Sequence, residues 1–236
     1  MSDPALAHHA ADLGGPAAEA ERARRAWIFA WLGQVFAVPP SRELVAAYRR
    51  GEVAPVLERL AEDPELAPGI AAMARAVDAA PDDDATTARL GIAFGRLFLG
   101  IGGPDTVSPY ESVHRCGGRL FQAPASEMAA LLAAHDLSVA AATREPPDHL
   151  AVELDLMARL IATDHPDRSV LLARLAAWVP TFCELCAARD ASGFWAGAAA
   201  VLLAALDQEN RDADFAFPQS PINQRRIPCR SSPRPN

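Results

Sequence analysis

Apolar positions recur at helical spacing along most of the chain, and proline, glycine and charged residues divide that pattern into segments. The first segment, Glu19 to Ala37, places Trp27, Trp31, Leu32 and Val35 on one face, as a core stripe would. Pro39 and Pro40 end it, because the proline ring clashes with a continuing helix and pushes the preceding residue to extended conformations. Ser41 is placed to cap the next helix and Gly51 to end it. Further helices are predicted over Val53 to Ala61 and Pro64 to Ala79. The run Pro81 to Asp84 then supplies negative charge to the start of a helix over Thr86 to Leu99. Gly100 to Leu120 is the largest irregular segment. Helices at Pro124 to Ala134, Pro147 to Ile161, Ser169 to Arg189 and Ser192 to Asn210 complete the pattern, with Pro180 kinking or dividing the third of these. Leu150, Leu154, Met157 and Ile161 form a buried stripe on the second.

Ala and Leu dominate while β-branched and aromatic residues are sparse, so the expected fold is all-α, a helical bundle of about ten helices. Residues 1–20 read as a disordered leader and 213–236 as a disordered basic tail. Between them an N-terminal lobe, 21–143, carries the 100–120 loop. A C-terminal lobe, 144–212, follows across a hinge near 135–145.

Composition narrows the function classes. A chain of 236 residues with 50% hydrophobic content can bury a full core. Its net charge of -8 disfavours nucleic acid and anionic membrane surfaces and suits basic partners. No lysine is present, which removes a Walker A loop, a Schiff-base enzyme and a kinase-type phosphate lysine. The glycines of the 100–120 loop lack the preceding strand that a dinucleotide fingerprint needs. Arg22 to Pro40 mimics a twin-arginine export signal, but Trp27, Trp31 and Gln34 interrupt its apolar stretch and no small-residue cleavage site follows. The later apolar run from Phe194 to Leu206 is shorter than the ~20 residues that span a bilayer. With no export signal, the four cysteines point to a reducing cytoplasm. Cys183 and Cys186 form a C-x-x-C inside a helical pattern, where core packing is the expected role.

The chemistry concentrates in "REPPDHLAVELDLMARL", Arg144 to Leu160. Pro146 and Pro147 suit a first helical turn, Asp148 can interact with helix-start amides, and His149 and Glu153 are neighbours one turn apart. Three chemistries compete for Glu145, Asp148, His149 and Glu153. A metal site would need a further ligand such as His114 or Cys116, and no ligand spacing signals one. A hydrolase would pair Ser108 or Ser112 with His149 and Asp148, without the G-x-S-x-G elbow. A docking cleft would set carboxylates against a partner's arginines, whose planar guanidinium groups pair with them bidentately. Tyr110, Glu111 and Ser112 serve either as a loop anchor behind Pro109 or as contacts. His149 has a second role open to it, bonding the 100–115 loop and so holding the two motifs together.

Together, "EPPDHLAVELDLMARL" and "LFLGIGGPDTVSPYESVH" resemble the paired E-P-x-D-H-L and P-Y-x-S signatures of the TorD/DmsD family of molybdoenzyme maturation chaperones, in the same order. "AWIFAWLGQVFAVPP", "ATTARLGIAFGRLFLG" and "WVPTFCELCAARDASGFWAGAAAVLLAAL" extend the likeness over about Arg22 to Asn210, most like TorD. Trp195 replaces a customary Tyr, and the basic tail after Phe217 has no family counterpart. The resemblance implies a cytoplasmic, cofactor-free, non-enzymatic chaperone without a metal. Its partner would be an apomolybdoenzyme of the trimethylamine N-oxide or dimethyl sulfoxide reductase type, bound through core and twin-arginine signal peptide, with export delayed until the molybdenum cofactor is inserted. Tyr110, Glu111, Ser112, Glu145, Pro146, Asp148, His149 and Glu153 are the implied partner-binding residues. A nitrate reductase or formate dehydrogenase client, a guanine nucleotide ligand with nucleotide hydrolysis, and a monomer or a dimer exchanging lobes are the alternatives it leaves.

Overall fold

The structure, a computed structural model, describes residues 15–139 and 145–216. Of the expected disordered leader 1–20, residues 1–14 lie outside the described residues and 16–20 are helical; of the expected disordered tail 213–236, residues 213–216 end the last helix and 217–236 lie outside, as does part of the hinge. Eleven α-helices follow in chain order: α1 (Pro16–Ala37), α2 (Arg42–Arg49), α3 (Ala54–Ala61), α4 (Ala67–Asp78), α5 (Asp83–Phe98), α6 (Glu111–Arg115), α7 (Ala123–Ala134), α8 (Leu150–Ala162), α9 (Arg168–Ala176), α10 (Val179–Arg189) and α11 (Phe194–Ala216). A single turn of 3-10 helix occupies Gly103–Asp105. The fold is all-α, and among the described residues no strand forms beyond one isolated bridge.

Local chemistry explains the boundaries. Val38, the residue before Pro39, is extended at φ -146° and ψ 151°, which closes α1 as the prolines require. Ser41 caps α2 by accepting the Leu44 amide, and Asp82 caps α5 by accepting the Ala85 amide. Pro180 falls in the first turn of α10, so the expected long helix over Ser169 to Arg189 is two helices, bent by 45° at the break. The helix expected from Pro147 starts later, at Leu150, because residues 146–149 are drawn into contact with the loop before α6.

α1 packs along α8 and α11, α4 crosses α11, and α10 and α9 close the other side of the bundle. The expected boundary between lobes at 143/144 is therefore bridged within one core, which takes Leu32 and Phe36 from α1 and Leu154, Phe182 and Trp195 from beyond the boundary. On α1 the stripe is rotated from its expected position. Ile28, Phe29, Leu32 and Phe36 are buried, whereas Trp27 is 43% exposed and stacks on Trp31 at 5.8 Å. The indole pair shields the flank of the helix. The Leu150, Leu154, Met157 and Ile161 stripe of α8 is fully buried, as its period predicts. Cys183 and Cys186 are buried core residues, and burial pushes the Cys183 thiol up to about 12, which suits packing rather than redox chemistry. Among the described residues no single helix is long and apolar enough to cross a membrane.

Candidate functional site

The two motifs meet. Tyr110 and His149 form an antiparallel bridge in which the Glu111 amide donates to the Asp148 carbonyl at 3.0 Å and the Leu150 amide donates to the Pro109 carbonyl at 2.8 Å. The bridge uses only the Pro109 carbonyl, so the missing N–H of proline costs it nothing. His149 caps its own helix: its Nδ1 accepts the Ala151 amide at 3.1 Å. Asp148 caps the other helix, with Oδ2 accepting the Ser112 amide at the start of α6 at 2.8 Å. The carboxylate thus serves a helix start, as expected of it, but that of the loop motif and not its own. His149 itself joins the motifs through ring contact with Tyr110 at 5.0 Å, while the backbone bonds across the bridge come from its neighbours Asp148 and Leu150. Burial lowers the imidazole pKa, which keeps the ring neutral and its Nδ1 lone pair available as the cap.

Beneath this bridge lies a charge network absent from the sequence-derived site. Glu111 is fully buried; it accepts from Arg115 on its own helix and from Arg174 of α9. Arg174 also bonds Glu127 at 2.8 Å and the Pro124 carbonyl at 3.1 Å, tying α7 to α9. Glu153, equally buried, accepts the Trp178 indole N–H at 3.2 Å. Burial, then the neighbouring Glu111 carboxylate, hold the Glu153 carboxyl well above the usual range, with Arg174 opposing. His114 packs on Trp178 at 5.2 Å and donates from Nε2 to the Ser108 carbonyl at 2.7 Å. Arg174 carries no motif signal, whereas Trp178 and His114 fall within the quoted stretches without any sign of this role. Only an unpaired glutamate on the buried side of α8 would have hinted that a cation had to be supplied from elsewhere.

Two expectations are corrected by this geometry. Asp148 and Glu153 are 0% exposed, so they do not present carboxylates to a partner's arginines. Ser112 is buried, its hydroxyl makes no hydrogen bond among the described residues, and His149 Nδ1 is committed to Ala151, so Ser112 and His149 form no relay among the described residues. His114 and Cys116 do not join His149 in a metal cluster among the described residues.

What the motif does present to solvent is Glu145 and part of Tyr110. The Tyr110 hydroxyl donates to Glu145 Oε2, and burial with that carboxylate raises the phenol above its ordinary range, so it remains a donor. Pro146 is buried below them. Glu145, exposed, lines a groove of about 510 Å³ together with Ala37 and Val38 at the end of α1, Leu132 of α7, Leu137, Val139 and Val152. Asp155 and Arg159, paired at 3.0 Å and both exposed, line it as well. An apolar trough edged by two solvent-facing carboxylates can hold a segment that is apolar along its length and cationic at one end.

Comparison with known proteins agrees with this architecture. Residues 61–184 match the family model described as nitrate reductase delta subunit. The chain is 32% identical over 204 residues to the chaperone protein TorD of Vibrio cholerae serotype O1, covering 81% of this chain and 92% of that protein. It is 30% identical over 198 residues to TorD of Aliivibrio salmonicida, covering 78% and 92%. A redox enzyme maturation protein from Archaeoglobus fulgidus shares the fold with a TM-score of 0.50 at 18% identity, over 76% of this chain and 92% of that one. The bundle, with its two motifs locked together, is that of a redox-enzyme maturation chaperone. The chain belongs to the TorD family.

Proposed function

We propose that this chain is a cytoplasmic chaperone for an apomolybdoenzyme of the trimethylamine N-oxide or dimethyl sulfoxide reductase type. It binds the client's twin-arginine signal peptide and holds back export while the molybdenum cofactor is inserted. The observation that carries the reading is the apolar groove lined in part by the exposed Glu145 and Asp155, beside the bridged motifs. A twin-arginine signal joins a guanidinium-bearing head to an apolar, helix-prone stretch. The apolar stretch lies against Val38, Leu137, Val139 and Val152, and the arginines reach Glu145 and Asp155. Tyr110 orients the Glu145 carboxylate for this contact. Glu111, Ser112, Pro146, Asp148 and Glu153 form the frame that holds the rim and act through position rather than contact, whereas His149 also lines the groove.

Titration calorimetry with the client's signal peptide and its twin-lysine variant tests the proposal. Lysine cannot form the bidentate pair, so affinity is expected to fall about tenfold, on the order of 1.4 kcal/mol. Glu145→Gln and Asp155→Asn, both surface changes, are expected to weaken the arginine peptide and narrow its advantage over the lysine peptide. Equal affinity for both peptides, or no effect of either variant, would reject the docking mode. Because the matched family model is described by nitrate reductase, a nitrate reductase signal peptide belongs in the same panel, and preference for it would reassign the client.

A further inference from the structure

We propose that His135, His165 and Asp167 bind one divalent transition-metal ion of the zinc class where the end of α7 meets the α8–α9 loop. One ligand atom from each residue lies within 4.8 Å of the other two. His135 Nε2 is 3.1 Å from Asp167 Oδ2, and His165 Nδ1 is 3.9 Å from the same oxygen. Zinc bonds to imidazole nitrogen and carboxylate oxygen are ~2.1 Å long, so ligands at tetrahedral angles stand roughly 3.4 Å apart. The first edge already fits that spacing, and side-chain rotation of about an ångström closes the others.

The conformation of Asp167 separates this cluster from an ordinary helix start. Asp167 is the N-cap of α9, where an aspartate usually accepts amide protons of its own helix, yet its side chain makes no such bond. Its carboxylate is turned to the imidazoles. The His165 Nδ1 lone pair accepts the Asp167 amide at 3.2 Å, a bond that a metal ion would replace. The two rings meet edge to face at 4.7 Å. The side chains are 16%, 40% and 38% exposed for His135, His165 and Asp167, so an ion reaches them without opening the fold. Two neutral imidazoles and one carboxylate suit zinc, cobalt or nickel better than calcium or magnesium, which prefer all-oxygen shells. Three protein ligands leave a fourth position to water. The site is separate from the peptide groove and does not depend on the reading of that groove.

The test uses the full chain, stripped of metal with a chelator. Zinc is titrated against a chromophoric competitor, and cobalt is followed by its visible absorption. One equivalent is expected to bind, with a tetrahedral cobalt spectrum free of thiolate charge transfer and a rise in the thermal midpoint. His135→Ala, His165→Ala and Asp167→Asn are each expected to lose at least tenfold in affinity and the thermal shift, with circular dichroism confirming the fold. His135→Gln and His165→Gln replace any alanine variant that fails to fold. His8→Ala/His9→Ala is expected to keep the site. Failure of the wild type to bind, or unchanged binding in a folded His135/His165 double variant, would overturn the proposal.

Discussion

Asp148 and Glu153 lie at the same end of one helix and are both sealed from water, yet they have different partners. Asp148 accepts a backbone amide, whereas Glu153 accepts the Trp178 indole N–H and faces the buried Glu111 carboxylate. A carboxyl whose folded pKa is raised keeps its proton where the unfolded chain releases it. Its stabilising contribution is complete below the ordinary value of 4.5 and is lost as pH rises from there through the folded value. Glu153→Gln is nearly isosteric with the protonated acid and has no such loss. Urea unfolding is therefore expected to show the variant gaining on the wild type as pH rises above the ordinary value of 4.5, by at most about 1.4 kcal/mol per pH unit. A constant difference across that range would mean that Arg174 keeps Glu153 ionised in the fold. At this scale the sequence named the motif residues but not their orientation. Asp148 and His149 are adjacent, and which of them caps which helix depends on where the 100–120 loop docks.

α4 and α11 approach each other closely, and two glycines, Gly69 and Gly197, permit it. A methyl group at Gly197 would lie 2.8 Å from the Gly69 carbonyl oxygen and 2.9 Å from Met73 Cγ, whereas one at Gly91 of α5 meets nothing within 4 Å. Alanine is favoured over glycine in a helix by about 1 kcal/mol, so the two substitutions separate propensity from packing. Gly91→Ala is expected to stabilise by about 0.5–1 kcal/mol, and Gly197→Ala to destabilise by about 1–2 kcal/mol because overpacking outweighs the gain. Denaturant midpoints of the two variants check this, and a stabilising Gly197→Ala would mean that the helices separate at little cost. Element boundaries marked by proline or a cap were legible from residues alone, as Pro39, Ser41 and Pro180 show. The facing of α1 was not. Trp27 satisfies the period as well as Phe29 does, and only the positions of α8 and α11 decide which side is covered.

Over the whole molecule the net charge is -8, and two exposed carboxylates, Glu145 and Asp155, line the groove. A cationic peptide is drawn to such a surface over distances that salt screens, at about 8 Å in 0.15 M salt. The affinity of an arginine-bearing signal peptide is accordingly expected to fall several-fold between low and 0.5 M salt, mainly through slower association, as surface plasmon resonance would report. Affinity independent of salt would assign recognition to the apolar floor of the groove alone. The α7–α9 junction adds a second point at which distant segments meet, since His135 and the His165–Asp167 pair come together only when those helices pack.

The sequence by itself determined the helical class, most helix limits, the core stripe of α8 and the family resemblance carried by its two motifs, because these rest on local periodicity, backbone chemistry and short words. Which carboxylates face water was decided by the tertiary structure alone. Glu145, Asp148 and Glu153 are alike as residues, but docking of the 100–120 loop and of Arg174 and Trp178 closes over two of them and leaves the third on the rim. Burial and charge pairing depend on segments far apart in the chain, and no local pattern encodes which of those segments will arrive.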